Sequence, residues 1–171
     1  MGWLFGWQTR KQLVKHLIEE NGVKTLKSCS VGNNLWCVHE CTCDQGPKAG
    51  EVIRYACLYL IKGPAFGNPN DRYGWGYKDV DESMGPNRDD FPASWLELLS
   101  PITSEYAVEW RARVKARGEK IKSMTTGTKW ERGGTIYEII VRRSPTLYRV
   151  KDLFGDTWRI PLTYLLQMER I

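Results

Sequence analysis

Histidine is nearly absent from this chain, with only His16 and His39 in 171 residues. The scarcity matters because imidazole is the commonest general base and the usual activator of a serine or cysteine nucleophile. A Gly-x-Ser-x-Gly elbow, a phosphate-cradling Gly-rich loop and a His-Glu-x-x-His pair are also missing. Gly74-x-Gly76 lacks the strand-turn-helix setting that would make it a nucleotide fingerprint. No run of about 18 apolar residues exists, so the sequence predicts no membrane span and no membrane partner. Gln8, Thr9, Arg10 and Lys11 interrupt the N-terminal apolar stretch, which argues against a secretory signal. Five cysteines, an odd number without a regular framework, fit a reducing cytosol better than a disulfide scaffold. A cytoplasmic protein is the expectation.

Negative charge is scarce in the last third. Residues 1–110 hold 11 Lys and Arg against 14 Asp and Glu, a balance of −3. Residues 111–171 hold 14 against 6, a balance of +8, and so carry the whole excess behind the net +5. A basic segment of this kind suggests an anionic partner, although a merely solvated basic face has the same composition.

Thr9-x-x-Gln12 has capping-box form, and Leu13, Val14, Leu17 and Ile18 follow at helical spacing, predicting a helix over 9–20 that Asn21-Gly22 ends. Trp3, Leu4, Phe5 and Trp7 are expected to tuck into the core. Strands are predicted at Val23–Val31, Asn34–Cys43 and Glu51–Ile61, in an antiparallel meander with the first helix on one face. Gly32-Asn33 makes the first turn, and Asp44-Gln45-Gly46-Pro47 breaks the chain before the third strand. Residues 63–90 read as one long loop, rich in Pro, Gly, Asn and Asp. Pro92 opens a short helix through Ser100. A second helix runs from Thr103 or Ser104 to about Arg117, with Tyr106, Trp110 and Val114 one turn apart and Gly118 closing it. Short strands are then expected at Lys120–Met124, Thr128–Glu131, Thr135–Arg143, Leu147–Lys151 and Thr157–Ile160, before a one-turn helix at Leu162–Leu166. That pattern suggests a small SH3-like barrel. The fold class is therefore α+β: an N-terminal domain at 1–117 and a basic barrel at 118–171.

Cys37, His39, Cys41 and Cys43 look like metal ligands, but on a strand they lie on one face at steps of about 6.6 Å. One zinc ion with bonds of about 2.3 Å cannot gather four ligands spread over roughly 20 Å. Two neighbours could share an ion only with help from Cys29 or Cys57, and small buried thiols are common core residues. No metal or cofactor is assigned, and no catalytic residue.

The segment from Gly74 to Pro86 concentrates Trp75, Tyr77, Lys78, Asp79, Asp81 and Glu82. Asp79 and Asp81 could converge on Mg²⁺, with Lys78 beside a phosphate, which would suit metal-assisted hydrolysis. The same residues also suit a structural loop or a binding surface. In the basic part, Arg111, Arg113, Arg117, Lys122, Arg142, Arg143, Arg149, Lys151 and Arg159 are candidates for nucleic-acid or partner binding. Trp130, Tyr137, Tyr148 and Trp158 lie among them. Basic side chains neutralise phosphates and exposed aromatics stack on bases, while some of these aromatics must fill the core. No basic run exceeds two residues, which excludes a disordered nucleic-acid tail.

The Gly74–Pro86 segment, Trp95-Leu96-Glu97-Leu98-Leu99-Ser100-Pro101 and Glu105-Tyr106-Ala107-Val108-Glu109-Trp110-Arg111-Ala112-Arg113 occur in that order. Together they resemble a family of short proteins carried by bacteriophages, plasmids and other mobile elements, over roughly residues 2–117. The resemblance brings no activity with it. It implies a bacterial host cell and, by association, a role against a host defence system of the CRISPR or restriction kind. The resulting expectation is a non-catalytic protein that engages nucleic acid or a nucleic-acid-bearing host complex. The alternative is a small metal-dependent hydrolase centred on Asp79, Asp81 and Glu82.

Overall fold

The computed structural model describes residues 3–44, 49–64, 72–76 and 81–171. Its contacts cluster into two units, Met1–Val114 and Lys115–Ile171. The architecture is α+β, with two five-stranded antiparallel sheets and few helices.

In the first unit, β1 (Trp3–Trp7) leads into α1 (Arg10–Lys15), which widens into a π turn at His16–Glu20. The capping box is formed: Thr9 Oγ1 accepts the Gln12 N–H at 3.2 Å and Gln12 Oε1 accepts the Thr9 N–H at 3.1 Å. Strands β2 (Lys24–Val31), β3 (Asn34–Thr42), β4 (Val52–Lys62) and β5 (Tyr73–Gly76) make the meander. The sheet order is β1-β5-β4-β3-β2. The sheet is covered on both faces, which explains why Leu35 to His39 are buried without alternation. One face packs Leu35, Cys37, Cys57, Tyr59 and Ile61 against Leu13 and Leu17 of the first helix. The other packs Trp36, Val38, Ala56 and Leu58 against Phe91, Leu99, Trp110 and Val114. Trp36 lies 5.4 Å from Phe91 and 5.6 Å from Trp110, centroid to centroid.

Several expectations change here. The N-terminal residues form an edge strand on β5, leaving Leu4 and Phe5 about half exposed instead of buried in the core. The long 63–90 loop contains β5 and a 3₁₀ turn at Glu82–Met84. Residues 92–100 hold a 3₁₀ helix at Ala93–Leu98. Helix α2 (Glu105–Ser123) buries Ala107, Trp110 and Val114 and leaves Tyr106 exposed. It runs through Gly118, so Lys120–Met124 is no strand. Tertiary contacts outweigh the roughly 1 kcal/mol helix penalty of a glycine. Lys120 Nζ donates to the Leu166 and Met168 carbonyls at 2.9 and 2.7 Å, and Ile121 packs on the second core.

The second unit carries β6 (Lys129–Arg132), β7 (Thr135–Ser144), β8 (Leu147–Asp152), β9 (Thr157–Pro161), the one-turn α3 (Leu162–Leu165) and β10 (Glu169–Arg170). Gly133 and Gly134, with φ of 60° and 81°, supply the two left-handed positions of a type I′ hairpin between β6 and β7. The order is β10-β6-β7-β8-β9, an open sheet. No β9–β10 pairing closes it into a barrel among the described residues. Its inner face packs Trp130, Ile139, Tyr148, Val150 and Ile160 against Leu162, Leu165 and Met168.

Candidate nucleic-acid interface

The acidic segment is a clasp. Asp81 caps the 3₁₀ turn by accepting the Ser83 N–H at 2.8 Å, and the Ser83 hydroxyl also binds that carboxylate. Glu82, expected on the loop surface, is 1% exposed. Its carboxylate takes Arg111 Nε at 2.6 Å, Arg111 Nη2 at 2.9 Å and the Ala56 N–H at 3.2 Å. Burial is tolerated because a bidentate guanidinium and a backbone donor replace the lost water. Gly85 has φ of +65°, and a Cβ there would approach Tyr106 Cβ to 3.1 Å, so only glycine lets this turn lie against α2. The Pro86 carbonyl accepts Arg113, and the Arg88 carbonyl accepts the Trp110 indole N–H at 2.7 Å. Trp75 is half-buried on β5, while Tyr77, Lys78 and Asp79 lie outside the described residues. Of the described carboxylates, Glu82 is thus turned into the fold and Asp81 caps its own turn, and no group of three or more His, Cys, Asp or Glu suited to a metal exists among the described residues.

His39 is also absorbed by packing. Its ring nitrogens meet the Tyr59 hydroxyl at 2.9 Å and the Thr25 hydroxyl at 3.1 Å, and burial lowers its pKa to about 4. Cys37 sits opposite Cys57 on β4, and burial raises both thiols, Cys37 to about 12. Unionised, enclosed thiols are poor nucleophiles. Cys29 pairs with Trp36 and so belongs to the other face of the sheet.

The basic candidates separate into two sets. Arg111 is spent on Glu82, and Arg113 reaches a carbonyl. Arg117 is half-buried, and Lys122 is exposed on α2. The Arg142 guanidinium donates to the Ser144 and Pro145 carbonyls at 3.2 and 3.0 Å and lies 5.7 Å from the Tyr148 ring centroid. It fastens the β7–β8 turn.

Arg143, Arg149 and Arg159 behave otherwise, although Arg149 Nη2 donates to the Thr157 hydroxyl at 3.3 Å. Together with Leu147, Thr157 and Trp158 they line a concavity of about 590 Å³ that holds no carboxylate. Strand register places Arg149 directly opposite Arg159. Side chains so paired start about 5 Å apart, and like charges there destabilise a sheet. No ion pair relieves these three arginines among the described residues. Lys151 is on the same outer face, but register sets Glu138 opposite it.

Beside this face the β8–β9 turn is braced by one side chain. Asp152 Oδ1 accepts the Phe154 and Asp156 N–H groups, both at 2.9 Å, and Oδ2 accepts the Trp158 indole N–H at 2.8 Å. The indole bond, with the turn amides, holds the Asp152 carboxyl below its usual pKa. Phe154 stands 92% exposed at the tip, and Trp158 is 52% exposed on the edge strand. Of the four aromatics among the basic residues, Trp130 and Tyr148 are in the core, Tyr137 packs against it, and Trp158 remains outside. Asp152, Leu153 and Phe154 fall between the strands expected at Leu147–Lys151 and Thr157–Ile160 and are not among the residues that the sequence singles out. The available signal was two large apolar residues in a tip where polar ones are usual.

No helix among the described residues is long and apolar enough to cross a membrane. No protein-family model, curated protein or solved structure matches this chain.

Proposed function

We propose that this protein binds the phosphate backbone of nucleic acid, without catalysing a reaction, through the outer face of β8 and β9. The observation that carries the reading is the opposed Arg149–Arg159 pair, which with Arg143 surrounds a concavity free of carboxylates. An uncompensated guanidinium cluster is costly to an isolated fold and is relieved by an anion held between its members. Arginine forks match phosphate oxygens, and the +8 balance of residues 111–171 draws a polyanion toward this region.

The mobile-element setting and the anti-defence role belong to the same proposal and rest on the motif resemblance. A nucleic-acid-bearing host complex of the CRISPR or restriction kind is the partner that setting suggests. The SH3-like reading of the second unit also belongs here, supported by five short strands with a one-turn helix before the last.

Retardation of labelled oligonucleotides over a salt series tests the binding. Three phosphate contacts predict a slope of log affinity on log salt between about −2 and −3. The double variant Arg149→Glu/Arg159→Glu should lose binding while keeping its circular dichroism. Absence of retardation of any nucleic acid at low salt would overturn the reading.

A further inference from the structure

The residues around the arginine concavity carry a second kind of information. Cα register pairs Arg159 with Arg149 and Trp158 with Val150, so the arginines stand on the outer face and the indole leaves β9 toward the other, while Trp158 still borders the concavity at the strand edge. β9 is an edge strand, so Trp158 is reached by passing over that edge. Phe154 projects from the end of the same hairpin, next to Leu153, which is also exposed. One carboxylate, Asp152, holds both the tip and the indole in place. This fixes the Trp158 ring and the backbone that carries Phe154, and an aromatic positioned beforehand loses less freedom on binding.

We propose that the ligand is single-stranded nucleic acid, whose phosphates lie on Arg143, Arg149 and Arg159 while its bases stack on Trp158 and Phe154. This rests on the phosphate binding proposed above. A single strand can turn over the sheet edge and present unpaired base faces to both rings. A duplex keeps its bases stacked inside, and a concavity with three arginines covers few of the phosphates it displays. The Asp152 carboxylate spends its oxygens on three N–H donors of the turn and the indole.

The test compares three probes of equal length, about twelve nucleotides: a thymidine oligomer, a duplex, and an abasic deoxyribose-phosphate strand. The expected result is that the thymidine strand binds tighter than the other two. Phe154→Ala and Trp158→Leu should each weaken only the thymidine strand, by about ten-fold, and leave the salt slope unchanged. Loss of the wild-type-minus-Trp158→Phe difference in fluorescence on adding the thymidine strand would report the stack itself. Equal affinity for all three probes, with both variants silent, overturns base stacking while leaving phosphate binding intact. Failure of every probe to bind overturns both.

Discussion

The two sheets have the same number of strands and the same antiparallel pairing but differ in what covers them. The first has a helix on one face and α2 with the 3₁₀ segment on the other, so β3 is buried from Leu35 to His39. The second packs one face on its own core and leaves Arg149, Lys151, Thr157 and Arg159 along the other. In the first unit, carboxylates are paired on the spot: buried Glu82 with Arg111, and half-buried Glu40 with Lys24 and Arg54, the latter two at 2.8 Å. In the second, three arginines surround a concavity with no such partner. The contrast assigns opposite work to charge. One unit uses it to fasten the chain, and the other, besides the fastenings at Lys120, Arg142 and Asp152, keeps three arginines without a counter-charge among the described residues.

The largest effect that would break this contrast lies at the clasp. Removing the Arg111 guanidinium strands a carboxylate that is 1% exposed. Arg111→Ala should destabilise the first unit by about 3–5 kcal/mol, read from urea or thermal unfolding. A change within experimental error would mean that the Gly74–Pro86 segment is not held by Glu82, and its surface reading would return.

His39 gives the next effect, in acid. Its folded pKa, about 4, lies below the ordinary value of 6.5, so the unfolded chain takes up a proton that the fold refuses. Stability is therefore full above about pH 6.5 and falls as pH drops toward 4, by up to about 3 kcal/mol. Unfolding free energy measured across that window should flatten by nearly one proton in His39→Gln. An unchanged slope in that variant would show that His39 is not the group being charged.

The smallest effect sharpens the comparison most. Arg159→Glu replaces a like-charge pair across β8 and β9 with an opposite one. It should raise stability by a few tenths to about 1 kcal/mol while weakening nucleic-acid binding. An arginine cluster kept for structure would instead lose stability on this change.

Local elements were legible where one signal dominated. The Thr9–Gln12 capping box, the turn at Gly32-Asn33 and the strands from Lys24 to Lys62 follow from caps, glycine and alternation. The length of α2 was not legible, because Gly118 signals a stop within its own neighbourhood. Lys120 bonded to two carbonyls 46 and 48 residues away and Ile121 on a distant core outweigh it. The acidic segment misled for a related reason. Carboxylates in a Gly-rich stretch look like surface chemistry until Arg111, 29 residues on, comes within 2.6 Å.

The sequence by itself determined composition-level facts: the charge split, the near-absence of histidine, and a supply of arginines interleaved with aromatics. These depend only on which residues are present and in what order. Only the tertiary structure decided which arginines are already engaged and which aromatics face solvent. Arg111 and Arg142 are tied to the fold, whereas Arg149, which donates to the Thr157 hydroxyl at 3.3 Å, and Arg159 oppose each other with no counter-charge among the described residues. Trp130 and Tyr148 are core, whereas Trp158 is outside. Those distinctions come from strand register and packing across distant segments, where a shift of one residue exchanges the two faces of a sheet.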